Sequence, residues 1–171
     1  MMNDIPPTGR LAGIDYGTVR VGIAVCDPDR ILASPYETYV RRNEQLDADY
    51  FSNLAKQERL VGWIVGLPIH LSGDESEKSR EAKAFARWLH DLSKLPVAHF
   101  DERFSSSFAH ASLGDSGMSR KKKKQRIDQI AAQIILSGYL ESPGQAANGS
   151  AQPPGSAMGL DDSPPTPDSN G

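Results

Sequence analysis

Three acidic positions, far apart in the chain, carry the chemistry for which it is equipped: Asp15, the pair Asp101-Glu102, and Asp128. Asp15 closes a short apolar run, residues 11–14, that reads as a buried strand. Gly17 permits a tight reversal into the next, where Val19, Val21, Ile23 and Val25 alternate. Alone, an aspartate at a hairpin turn is ordinary turn chemistry. The partners come later. Asp101 and Glu102 follow another short strand, residues 96–100, and Asp128 lies inside an apolar stretch of a helix expected over 119–140. In that helix Ile127, Ile130, Ala131, Ile134 and Ile135 recur at helical spacing and predict the core-facing side. A carboxylate at the edge of such a face costs free energy unless it is paired or holds a cation. Carboxylates converging from three elements would make an oxygen-rich site suited to Mg²⁺ or Mn²⁺. The four histidines, His70, His90, His99 and His110, show no zinc-ligand spacing.

The second chemical feature is a basic run, Arg120-Lys121-Lys122-Lys123-Lys124-Gln125-Arg126. Most charge runs are solvated helix faces. This one occupies the first turns of the helix that carries Asp128, at the positive end of its dipole, where cations repel one another and the helix. Phosphates relieve both problems. A polyanion lying beside the acidic positions explains the placement best.

The elements that must position these residues read in the order βββαβαβα(α). A third strand is expected over 33–40, and Asn43 caps a helix running to about residue 59, with Leu46, Tyr50, Leu54 and Phe51 inward. Residues 61–66 are apolar without alternation, which predicts a central strand covered on both faces. A loop through Ser72-Gly73-Asp74 leads to a helix over about 75–93. After the strand at 96–100 come a short helix near 105–113, a break at residues 114–117, and the last helix. An antiparallel meander followed by parallel crossovers gives an α/β mixed sheet with helices on both faces.

The chain has 171 residues, 38% apolar and 24% charged, which fits one soluble domain. We place that domain at residues 1–141. Residues 142–171 are rich in proline, glycine and serine, with half of all the prolines and no aromatic side chain, and are expected to be disordered. They also carry Asp161, Asp162 and Asp168 and no basic residue, so residues 1–141 are near neutral. Cys26 is the one cysteine, expected as a small buried side chain. No secretory signal or membrane span is legible, and a cytoplasmic location is expected.

Four stretches resemble the YqgF/RuvX family, RNase H-like proteins called Holliday junction resolvases or pre-16S rRNA nucleases. They are Gly13-Ile14-Asp15-Tyr16-Gly17-Thr18-Val19-Arg20 with the strand after it, Val65-Gly66-Leu67-Pro68, Asp101-Glu102-Arg103-Phe104-Ser105-Ser106, and the segment from Gly117 through the basic run and Ile127-Asp128-Gln129 to Leu140. They cover residues 10–141 in order. Ile69-His70-Leu71-Ser72 departs from the family's asparagine-containing loop. The resemblance implies an RNase H-like sheet with its first, fourth and fifth strands together near the middle. It also implies acidic catalytic and metal positions at Asp15, Glu102 and Asp128, with Asp101 contending for the second.

The chemistry implied is metal-assisted phosphodiester hydrolysis with Mg²⁺ or Mn²⁺. Nucleic acid would be held by Arg20, Arg103, Arg120, Lys121, Lys122, Lys123, Lys124 and Arg126, although Arg20 and Arg103 also suit structural ion pairs. Structured RNA ranks first as partner, with processing of the 5′ end of pre-16S rRNA in ribosome biogenesis as the role. Branched DNA ranks second, as in junction resolution, which needs two sites and hence a homodimer. A nucleic-acid-binding module without catalysis is the remaining alternative.

Overall fold

The expected meander is formed by β1 (Arg10–Asp15), β2 (Arg20–Cys26) and β3 (Ala33–Val40). Then come α1 (Glu44–Gln57), β4 (Leu60–Leu67), α2 (Glu77–Ser93), β5 (Val97–Asp101) and α3 (Arg120–Glu141). This is a computed structural model, and it describes residues 4–68, 76–102 and 119–142. The loop at 69–75, Arg103, the short helix at 105–113, the break at 114–117 and all of the tail beyond Ser142 lie outside the described residues.

The strands form one sheet in the order β3-β2-β1-β4-β5. β1 pairs antiparallel with β2, and β2 with β3, whereas β1–β4 and β4–β5 are parallel. The first, fourth and fifth strands are neighbours as expected, but β5 stands at the edge of the described sheet, not near its middle. β1 and β4 are its interior parallel pair.

Side-chain alternation splits each central strand between two cores. Ala12, Ile14, Val21, Ile23, Trp63 and Val65 pack with Phe51 and Leu54 of α1 and Phe85 and Leu89 of α2. Leu11, Ala24 and Ile64 point the other way and pack with Ala132, Ile135 and Leu136 of α3. Because both faces are covered, β2 is buried continuously from Val21 to Ala24 and does not show a wet face. Val19, read as the start of its alternation, lies before the strand and is 62% exposed.

Helix ends follow local chemistry. Asn43 Oδ1 accepts from Leu46 N at 2.9 Å, Ser76 Oγ from Ser79 N at 3.1 Å and Ser119 Oγ from Lys122 N at 3.3 Å. Two inward faces differ from expectation. In α1, Phe51 and Leu54 are buried, but Leu46 is exposed and Asp47 takes the inner place. The Asp47 carboxylate accepts from Tyr39 Oη at 2.7 Å, Arg42 N at 3.0 Å and Arg41 Nε at 3.3 Å, which compensates its burial. In α3, the buried stripe is Ala132, Ile135, Leu136 and Tyr139, while Ile127, Ile130, Ala131 and Ile134 are only half-buried. Glycine decides this rotation. A Cβ on Gly13 would lie 2.7 Å from Ala132 O and from Leu136 Cβ, so the helix lies directly on the backbone of β1.

Candidate active site

Asp15 is the last residue of β1 and shares its side of the sheet with Leu11 and Gly13, the side that α3 covers. Its neighbours in the sheet row are glycines. Gly22 is its antiparallel partner on β2, and Gly66 follows Val65, the β4 partner of Ile14. Each missing side chain makes room for something acidic. A Cβ on Gly22 would collide with the backbone carbonyl of Asp128 and touch its side chain. A Cβ on Gly66 would collide with Glu102 Oε1 and with Ile135. Gly17 serves the turn itself, since a Cβ there would strike the carbonyl of Arg20.

Parity along β5 separates the two candidates for the second acidic position. Ala98 and Phe100 pack on the α3 side, and Glu102, two residues further on, continues to that side and hydrogen-bonds Asp15. Asp101, paired with Leu67, has the opposite parity; its charge is still felt at Glu102. Asp128 occupies the first turn-step of the buried α3 stripe, four residues before Ala132. Its Oδ2 accepts from Arg20 Nε at 3.0 Å, so Arg20 is the ion-pair partner of the third carboxylate.

Burial and the negative charges of Glu102 and Asp128 push the Asp15 carboxyl up to about 8. Burial and the charge of Asp101 push Glu102 up as well, while the bond from Asp15 works against them. At neutral pH Asp15 therefore keeps its proton and donates it to Glu102. Lys78, in the first turn of α2, favours ionisation of both. Lys78 lines a cleft of about 300 Å³ together with Asp15, Glu102, Tyr16, Thr18 and Glu81. The bond from Ser76 Oγ to the carbonyl of Pro68, 3.2 Å, ties the start of α2 to the end of β4 and sets Lys78 there. Lys78 and Glu81 escaped the sequence reading, because no pattern in a polar helix start marks which turn faces a cleft.

Among the described residues no three carboxylate, imidazole or thiolate groups are drawn tightly enough together to grip one ion. The close pair is Asp15 and Glu102, and Asp128 is engaged with Arg20. The donor set nonetheless fits a hard divalent cation: it offers oxygen alone, partly buried, with more negative charge than Asp15 tolerates in its ionised form. Of the basic run, Arg120, Lys121, Lys122, Lys124 and Arg126 are exposed and Lys123 is half-buried. The carbonyl of Gln125 accepts from Thr38 Oγ1 at 2.5 Å, which fixes the run over β3, beside the Arg20–Asp128 pair. Cys26 is buried, and its Sγ accepts from Leu11 N at 3.3 Å. His99 is half-buried on edge strand β5.

A family model described as "RuvX: Holliday junction resolvase" matches residues 9–142. A Rhodopirellula baltica protein named "Putative pre-16S rRNA nuclease" is 53% identical over 137 residues, covering 80% of this chain and 79% of its own length. A protein of the same name from Koribacter versatilis is 39% identical over 136 residues, or 80% of this chain and 89% of its own. Among solved structures, the yeast mitochondrial Holliday junction resolvase Ydc2 aligns with a TM-score of 0.50 at 14% identity, over 84% of this chain and 82% of that one. At that identity the likeness bears on the fold alone: an α/β mixed sheet of the RNase H-like kind.

Proposed function

The chain belongs to the RuvX Holliday junction resolvase family, and from that membership we propose that it is a nuclease that hydrolyses phosphodiester bonds, with pre-16S rRNA as its substrate. The observation that carries the reading is the acidic pair, Asp15 and Glu102, hydrogen-bonded at a cleft beside Asp128 and under the charge of Lys78. The ribosomal substrate is taken from the names of relatives at 53% and 39% identity.

Asp15, Glu102 and Asp128 would hold Mg²⁺ or Mn²⁺, which when bound activates the attacking water and offsets charge on the phosphoryl oxygens. The protein's own residues do the rest. Asp15 must release its proton before its carboxylate can serve as a ligand, and Glu102 is placed to take part in that exchange. Lys78, lining the same cleft, meets the negative charge that develops on the phosphate. Arg20 holds the Asp128 side chain in one orientation. The exposed cations at the start of α3 bind flanking phosphates and align the strand.

Branched DNA is the second reading, favoured by the description of the matching family. It requires two such sites acting together, hence a homodimer. Among the described residues no helix is long and apolar enough to cross a membrane. The deciding experiment is a cleavage assay with Mg²⁺ or Mn²⁺ on a labelled pre-16S rRNA fragment and on a four-way DNA junction, comparing wild type with Asp15→Asn. Cleavage of the RNA, lost in the variant while binding persists, is the expected result. Salt-sensitive binding with no product in either metal would replace the nuclease by a binding module.

A further inference from the structure

A second and larger hollow, of about 690 Å³, adjoins the acidic cleft, and Tyr16, Thr18 and Glu81 line both. Its floor is aromatic. Tyr16, the residue after Asp15, has its ring centroid 4.9 Å from that of Phe85, and Phe85 stacks on Trp88 at 5.3 Å and 29°. The Arg41 guanidinium lies over both Tyr16 and Phe85, 5.5 and 5.6 Å from their centroids. It is fixed there by Nε donating to Asp47 at 3.3 Å and an η nitrogen donating to Tyr16 Oη at 3.1 Å.

The charge of this hollow differs from that of the α3 run. Asp47 offsets Arg41, and the lining sets the exposed Arg42 against two further carboxylates, Glu44 and Glu81. No surplus of positive charge is left to gather phosphates. Phe85 is itself buried, so what remains is a strip of half-exposed π surface from Tyr16 and Trp88 and a guanidinium plane, edged by carboxylates, an amide and a hydroxyl. Those are the groups that receive a nucleobase: its face stacks on aromatic and arginine planes, and its exocyclic amino group donates to a carboxylate. The volume is ample for one nucleoside.

We propose that this hollow binds an unpaired base of the strand whose phosphate occupies the Asp15–Glu102 cleft. The inference rests on the nuclease reading for the presence of that strand, and it narrows the substrate class. A base inside a duplex shows only its edges and cannot lie on the strip, so the site selects single-stranded or splayed nucleotides next to the scissile bond.

The test uses the protein's two tryptophans. Trp63 is fully buried, which leaves Trp88 as the reporter. An eight-nucleotide RNA, single-stranded or annealed to its full complement as a blunt duplex, is titrated into the full chain with Ca²⁺ replacing Mg²⁺. The single strand is expected to quench Trp88 saturably and the duplex is not. Trp88→Phe should abolish the signal and hold the affinity within about twofold, whereas Trp88→Ala should weaken binding about tenfold. Equal quenching by the duplex, or unchanged affinity in a folded Trp88→Ala, overturns the base site. The two readings fail separately. Cleavage of the rRNA fragment with no loss of affinity in Trp88→Ala keeps the nuclease and removes the base site. Strand-specific quenching with no cleavage in either metal does the reverse.

Discussion

Gly66 of β4 stands beside Asp15 of β1, and the space where its side chain would begin is filled by Glu102 Oε1. The acidic pair thus depends on an absence. Gly22 performs the same service on the other side of Asp15, where the backbone of α3 comes down at Asp128. A side chain at either glycine would push one carboxylate away from the other two.

Gly66→Ala is therefore expected to act on the site and on stability together. The added methyl meets Glu102 Oε1 and the Ile135 side chain, an overpacking that costs about 1–3 kcal/mol. Mn²⁺ affinity by calorimetry should fall, because Glu102 must swing off Asp15. Gly62→Ala is the control, since its Cβ would lie 2.8 Å from the mobile end of Ile5 and far from the acids. It should lower the melting temperature modestly and leave Mn²⁺ affinity unchanged. Equal loss of metal affinity in both variants would count against the role given to Gly66.

The raised Asp15 carboxyl sets the sign of a pH dependence. In the unfolded chain it titrates near 3.8, and in the metal-free folded state near 8. Between those values the folded protein binds the extra proton, so stability is greatest below about pH 4 on this account and falls as pH rises through 8. Asp15→Asn has no such proton to lose. Melting curves in chelator from pH 5 to 9 should fall more steeply for wild type than for the variant. Added Mg²⁺ should raise the wild-type melting temperature more at pH 8 than at pH 6, with proton release on binding. Parallel wild-type and variant curves would contradict the assignment.

The parts of this arrangement that the sequence made legible are those set by local rules. Asp15 was found because an apolar run stops at it, and Asp128 because it interrupts an apolar stretch of helix. Other parts are decided by contact between distant elements. Apolar side chains wrap widely around α3, and the pattern pointed to Ile127, Ile130 and Ile134; only the close approach permitted by Gly13, Gly22 and Gly66 selects Ala132, Ile135 and Leu136 instead. Leu46 and Asp47 exchanged places because a hydrogen bond from Tyr39, on strand β3, compensates the buried carboxylate. Which of Asp101 and Glu102 lies against Asp15 depends on the side of the sheet on which Asp15 faces. Lys78 depends on the Ser76–Pro68 bond, which bridges a segment that reads merely as a loop.

Lys78 gives a prediction in which two quantities move in opposite directions. Its charge opposes any other cation at Asp15 and Glu102, so it is not there to help hold metal. Lys78→Gln should bind Mn²⁺ severalfold more tightly at pH 9, where Asp15 is ionised. Cleavage should nonetheless drop on the order of a hundredfold, because the phosphate loses a preorganised positive charge. Tighter metal with unchanged cleavage would make Lys78 a bystander, and weaker metal would make it a structural support.

The basic run at the start of α3 is tested by salt. Lys121, Lys122 and Lys124 are exposed and lie on turns without an acidic residue, so their loss removes charge with little effect on packing. If each neutralises one phosphate of a single strand, the triple substitution to glutamine should make the slope of log K against log salt shallower by about 2. Base stacking carries no such slope, so the strand-specific quenching of Trp88 should persist in the triple variant at low salt, with reduced affinity. A slope unchanged from wild type would leave these three lysines a solvated helix face, and phosphate binding would then fall to the cations that remain, Arg120, Lys123 and Arg126 among them.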